Sequence, residues 1–278
     1  EAAALKKILH WLKMVYFTMM FLSAALAFAA ATYAWFTANE QVETSRITAE
    51  TGKQDLELQI SRSNFNPAPN QEVELKTPAN LLMPVSTADL NTFVYNPVTN
   101  GDIADRFLPA DETLYYHDTV YLRAKGTAVS KDIRLELYLD DKVDITQSIS
   151  GELLTAARLG LRLTDEAGSS TFRILTLSDE NEGSGNTRLN GEDIAPGNVL
   201  TLSGDTPIAV ADPAIPIANV MAQAARTPIA TMEQDKVYRV DIYFYLEGCD
   251  PDCTDEKVGL DRAALQLGFY GKPVWKEA

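Results

Sequence analysis

The sequence predicts a mainly β protein: an antiparallel β-sandwich preceded by one long N-terminal hydrophobic α-helix. Two observations carry that reading. From Met14 to Asn39 no side chain is charged, a run longer than the roughly 20 apolar residues a helix needs to cross a bilayer. Past residue 40 the apolar residues recur with a period of two, the signature of half-buried strands.

The N-terminal unit is assigned to residues 1–38. Leu5, Ile8, Leu9 and Leu12 share one helical face, and Lys6, Lys7 and Lys13 precede the apolar run. The positive-inside rule then leaves the N-terminus cytoplasmic and exports everything after Phe36, with Tyr33, Trp35 and Phe36 as an aromatic anchor. A cleavable export signal has the same outline, and Ala25-Leu26-Ala27 and Ala27-Phe28-Ala29 meet the small-x-small requirement for its removal, so both fates stay open. If the segment is retained, Ser23, Ala27 and Ala31 form a smooth face every four residues that lets another helix approach closely.

Residues 39–278 form the exported domain. Leu56, Leu58 and Ile60 alternate with polar neighbours, as do Val73 and Leu75, Ile133 to Leu139, Leu159 to Leu163, Phe172 to Leu177, Val240 to Leu246, and Leu265 to Phe269. Roughly ten such strands separated by turn residues indicate an antiparallel sandwich. Short helices are expected only over 216–228, bracketed by Pro216 and Pro228, and over 86–93. Residues 178–193 read as an acidic, Gly- and Asn-rich surface loop.

Composition excludes whole classes of function. With 24 Lys+Arg against 39 Asp+Glu the formal charge is −15, which leaves no surplus of cations to displace phosphate counterions, so nucleic acid is excluded as a partner. Two cysteines and two histidines are too few for the usual zinc, haem or iron–sulfur sites. No HExxH, GxSxG or GxxxxGK[ST] motif is present, and His117 is the one imidazole of the exported part. It is expected to pack at a strand start, and no catalytic residue is assigned.

Cys249 and Cys253 flank Asp-Pro-Asp after a strong strand. In an exported protein this spacing reads as a small disulfide clamp, whereas a redox pair favours CxxC beside a helix in a βαβ fold. The same loop suggests calcium at Asp250, Asp252 and Asp255, although D-x-D-x-D-G spacing is lacking. Asp102, Asp105, Asp111 and Glu112 are a weaker set of the same kind. No other cofactor is expected.

Two stretches carry a resemblance. ATYAWFTANEQVETSRI, residues 31–47, looks like the export segment and first strand of the TasA/camelysin-like family of secreted Gram-positive surface proteins. VDIYFYLEGCDPDC, residues 240–253, resembles a strand and loop of related proteins. The resemblance implies a jelly-roll-like sandwich whose copies join into extracellular fibres by lending an N-terminal strand to a neighbour. An open sheet edge presents unpaired N–H and C=O groups that an added strand satisfies together. Residues 37–50, with Val42, Thr44 and Ile47, are the candidate lent strand. Family subunits are released near the end of the hydrophobic segment, and retention here would depart from that pattern.

The expectation is therefore a self-associating cell-surface subunit that passes through the membrane during export. A retained helix allows a type IV pilin-like alternative with the helices packed as the filament core, although three lysines interrupt it. A membrane-anchored binding or adhesion module presenting loops 178–193 and 247–257 is a further alternative, and a secreted hydrolase is the last.

Overall fold

In a computed structural model of the chain, the described residues are 46–51, 56–65, 72–75, 82–97, 107–126, 133–140, 144–147, 153–178, 188–190, 192–222, 227–253 and 263–275, all in the unit Thr44–Ala278. The helix expected over 1–38, with Ser23, Ala27 and Ala31, lies outside them. Among the described residues no helix is long and apolar enough to cross a membrane.

The unit is mainly β. Its strands are β1 (Arg46–Thr51), β2 (Leu56–Ser61), β3 (Glu72–Glu74), β4 (Pro84–Val85), β5 (Val94–Tyr95), β6 (Leu108–Pro109), β7 (Tyr116–Gly126), β8 (Ile133–Leu139) and β9 (Asp144–Gln147). A single helical turn, α1 (Leu153–Ala156), leads into β10 (Ala157–Thr164) and β11 (Ser170–Thr176). The chain continues through β12 (Arg188–Leu189), β13 (Glu192–Asp193), β14 (Asn198–Ser203), β15 (Thr206–Ala211) and β16 (Ile215–Pro216). It ends with β17 (Ala230–Glu233), β18 (Val237–Glu247) and β19 (Ala263–Trp275).

Two larger sheets organise these strands. One runs β17-β8-β19-β1-β3, with β9 also on β19; the other runs β16-β11-β10-β18-β7-β2, with β4 also on β18. Of the alternating residues predicted to face inward, Leu56, Ile60, Leu135, Leu137, Leu159, Leu161, Val240, Ile242 and Phe269 from both sheets are buried in one apolar core, whereas Phe172 and Ile174 belong to a second cluster. Burying each such side chain contributes about 1.5–3 kcal/mol, so the shared core is what holds the two sheets together.

The expected antiparallel pairing needs correction. Parallel pairs join β1 to β19, β4 to β18 and β11 to β16. Parallel neighbours need a long connection, so these pairings lie between segments far apart in sequence and left no local turn signal.

The expected helices also differ. Residues 217–220 form only one 3₁₀ turn. Over 86–93 the Thr87 hydroxyl accepts from the amides of Asp89 and Leu90, and Asp89 Oδ1 accepts from those of Asn91 and Thr92. These side chains compete with helical backbone bonds and leave Leu90 at φ 57. Leu90 is thereby set above Gly160, where an added Cβ would lie 2.6 Å from a Leu90 methyl.

That loop starts a second layer on the outer face of the β18 sheet. Leu90, Phe93, Val85, Ile174, Tyr243 and Tyr245 form a smaller core. Val94, Ile194, Leu200 and Cys249 form another beneath the β14–β15 hairpin. Of the predicted surface loop 178–193, the described part is its two ends, the second closing the short β12–β13 pair.

Candidate functional site

The segment proposed for exchange is partly in view as β1. Its Ile47, Thr48 and Thr51 favour extended backbone, and it contains neither glycine nor proline. β1 lies between two strands of its own chain. On one side it runs parallel to β19, from Ile47 opposite Leu267 to Thr51 opposite Gly271. On the other it is antiparallel to β3, with Arg46 opposite Glu74 and Thr48 opposite Glu72. Val73, Leu267 and Phe269 of the flanking strands belong to the main core. Withdrawing β1 would expose a row of backbone donors and acceptors on each neighbour. Val42 and Thr44 lie outside the described residues.

The outer face of the second sheet holds a polar cluster around Asp241, whose side chain is fully buried. Its Oδ1 accepts from the Thr119 hydroxyl at 2.8 Å and faces His117 Nε2 at 3.4 Å. Its Oδ2 accepts from Arg239 Nη2 at 2.7 Å and Arg162 Nη2 at 3.3 Å. Burial opposes ionisation of Asp241, but hydrogen bonds from His117, Arg239 and Thr119 outweigh it and hold the carboxyl well below its ordinary range. Arg162 also donates to the Tyr243 hydroxyl at 2.6 Å and to Asn91 Oδ1.

His117 is the second residue of β7 and stacks on Tyr243 at 4.6 Å with an interplanar angle of 3°. Its other ring nitrogen is 3.7 Å from Glu112. With a carboxylate facing each nitrogen and a ring against its plane, the imidazole ties β7 to β18.

A second cluster lies where β18 enters the cysteine loop. Arg158 Nη2 is 2.9 Å from Asp250 and 3.8 Å from Asp212, with 1% and 0% of the Arg158 and Asp250 side chains exposed. Glu247 is buried beside them. Its Oε1 accepts from the Cys249 amide at 3.1 Å, and the Ser86 hydroxyl bonds to its carboxyl. Burial pushes the Glu247 carboxyl up to about 8, against the opposing pull of Ser86 and Arg158. Ser86 Oγ further accepts from the Leu200 amide at 2.8 Å, tying β14 to the strand β4 end.

This arrangement bears on two expectations. Cys249 and Cys253 are not joined by a disulfide. Cys249 packs in the cluster with Val94, Ile194 and Leu200, its thiol 3.5 Å from Ser86 Oγ, while Cys253 packs against the main core. The two side chains are thus drawn into different apolar clusters. Burial and the neighbouring Glu247 push the Cys249 thiol far up, and the thiolate is the reactive form. Iodoacetamide at pH 8 is therefore expected to leave Cys249 unmodified in the folded chain and to label it in denaturant, read by peptide mass spectrometry. Labelling at equal rates would sink that assignment.

The calcium candidates are only partly in view. Asp250 spends Oδ2 on Arg158 and Oδ1 on the Asp252 amide at 2.9 Å, so its oxygens serve the turn. Asp255, Asp102 and Asp105 lie outside the described residues, and Asp111 Oδ1 accepts the Thr113 amide. Among the described residues no three His, Cys, Asp or Glu side chains are grouped to hold a metal.

Sequence reasoning missed Arg158, Arg162 and Asp241 as organising residues. Their signal was parity: each is a charged residue at an outward position of a strand whose aromatic neighbours, Tyr243 and Tyr245, occupy that same face. No protein-family model, curated protein or solved structure matches this chain.

Proposed function

We propose that the chain is the structural subunit of an extracellular cell-surface filament, pilus-like or matrix-forming, whose copies join by exchanging β1. The placement of β1 carries this reading: it is the domain's first described strand, it follows the hydrophobic segment in sequence, and both its edges are paired by backbone register. Main-chain pairing is indifferent to which copy supplies the strand. The β1 of a second chain can occupy the same slot with the same contacts, and head-to-tail exchange that does not close yields a fibre.

The parallel β1–β19 register supports exchange for a topological reason. No tight turn joins parallel neighbours, so β1 can leave β19 without opening a hairpin. The finer fold class, a jelly-roll-like sandwich, belongs to the same proposal. Export places the N-terminal segment in the membrane before assembly, and the charge of −15 keeps the exterior soluble. The role is assembly rather than catalysis.

The test is a paired cysteine variant, Glu50→Cys with Tyr270→Cys, whose Cα positions face each other across β1 and β19, in a chain with Cys249→Ala and Cys253→Ala. Oxidised under fibre-forming conditions, it should give a ladder of covalent multimers on a non-reducing gel. Monomers alone, each closed on its own strand, would overturn exchange. Fibres that persist with monomer-only cross-links but vanish on Ala27→Leu would instead establish the helix-core, type IV pilin-like architecture.

A further inference from the structure

We infer that the free edge of β15 is a self-association seam, pairing antiparallel with β15 of a second copy of this chain. β15 and β14 form a hairpin closed by Gly204-Asp205, with Ser203 opposite Thr206 and Asn198 opposite Ala211. The Asp212 amide donates to the Gly197 carbonyl at 2.9 Å. In an antiparallel pair, hydrogen-bonded positions alternate. Thr206, Ile208 and Val210 therefore direct their main chain towards β14, and Pro207, Ala209 and Ala211 direct theirs outward. Ile208, Ala209 and Ala211 are exposed.

Other strand edges are guarded in the usual ways, with charge, brevity or cover. β3 is three residues long and carries the exposed Glu74. β17 ends in Glu233, paired with Lys236. β2 carries Glu57 and runs into Arg62. β16 has two residues and ends in proline. The far edge of β14 is covered, its Leu200 amide donating to Ser86 Oγ and its Thr201 hydroxyl 2.8 Å from that of Thr92. β15, six residues of sequence TPIAVA, has no charged side chain, and among the described residues no strand pairs with its outer edge. Pro207 alone interrupts its outward donors.

Charge identifies the occupant as another copy. Two chains of −15 each repel over most of their surfaces, and contact between them is favoured where charge is absent. A cationic partner would be drawn to the acidic faces instead. The edge is also self-complementary about a two-fold axis at Ala209. Ala209 then exchanges both main-chain bonds with its counterpart, and each Ala211 N–H meets the carbonyl of the opposing Pro207, whose missing N–H is the only donor lost from each such pair. Ile208 faces Val210 of the second copy, and Asp212 faces Thr206 rather than another carboxylate. One strand pair buries far less than the roughly 1,600 Å² of a standard interface. The contact is weak singly and strong only when repeated along an assembly.

The test is sedimentation velocity of the full chain in mild detergent over a concentration series. Wild type should shift towards dimer as concentration rises. Ala209→Pro should lower the association constant at least tenfold with its melting transition unchanged, and Ile208→Lys should do the same. In a chain with Cys249→Ala and Cys253→Ala, Ala209→Cys should cross-link to itself, while Asp205→Cys at the turn should not. A chain that stays monomeric throughout, leaving the edge to a different protein, overturns the inference. So does association untouched by both substitutions, or equal cross-linking at Ala209→Cys and Asp205→Cys. The Ala209→Cys cross-link and the effects of the β15 substitutions do not depend on β1, and the Glu50–Tyr270 cross-link does not depend on β15, so either proposal can fail alone.

Discussion

Arg158→Ala is expected to lower the stability of the domain by about 3–5 kcal/mol, the cost of breaking a buried ion pair by removing one partner. Arg158 is among the largest fully buried side chains of the protein. Its guanidinium holds Asp250 at 2.9 Å and reaches the main-chain carbonyls of Ala157 and Thr155 at 3.3 and 3.4 Å. Truncation leaves the Asp250 carboxylate in the interior without its cation and opens a cavity the size of the lost side chain. The loss falls on the junction where α1, β10, the β18 turn and the segment after β15 meet.

Urea unfolding followed by circular dichroism reads the effect as a lower midpoint with an unchanged slope. Asp250→Ala should cost a similar amount, and the double variant clearly less than the sum of the two, because the second removal takes away a group already stranded. A loss below about 1 kcal/mol for Arg158→Ala, the range of an exposed pair, would show that this cluster does not hold the junction.

How much of this was legible depends on what each residue contacts. Leu56, Leu58 and Ile60, or Ile133 to Leu139, touch the shared apolar core with every second side chain, and such alternation survives in the sequence because one face alone is buried. The run VDIYFYLE was harder. Its apolar residues occupy both parities because the outer face of β18 is covered as well, by the loop carrying Leu90 and Phe93. A strand covered on both faces reads as a continuous apolar run, which was the available hint of a second layer.

The charged partners were invisible for a different reason. Arg158 and Asp250 are 92 residues apart, and Arg162 and Asp241 are 79 apart, so no local spacing announces them. Cys249 and Cys253 illustrate the reverse error: closeness in sequence suggested a bond, whereas each thiol follows the apolar cluster beneath it. β1 was identified as a strand from composition and position, but its place between β19 and β3 is a register between distant segments that no sequence period encodes.

Stability is expected to fall as pH rises through neutrality, and Glu247→Gln is expected to remove most of that dependence. One guanidinium, Arg158, acts on three carboxyl groups: Asp250 and Asp212 at 2.9 and 3.8 Å, and the buried Glu247, which Asp212 also influences. Tyr245 and Cys249, also facing the site, are buried and neutral. Burial keeps the proton on Glu247, with the Asp212 carboxylate adding to it and Ser86 and Arg158 opposing, so its carboxyl is raised from 4.5 to about 8. Between those two pH values the folded chain binds a proton that the unfolded chain has released, and stability declines as pH increases. The contribution is complete below about 4.5 and is lost on passing about 8, a change on the order of a few kcal/mol. Asp241 acts with the opposite sign: held ionised by its hydrogen bonds, it loses its contribution as pH falls below the ordinary carboxylate range. Thermal melts from pH 5 to pH 9 should show a declining midpoint for wild type and a nearly level one for Glu247→Gln, in which the amide oxygen still accepts from Cys249 and Ser86. Parallel declines in both proteins would place the responsible proton on some other group.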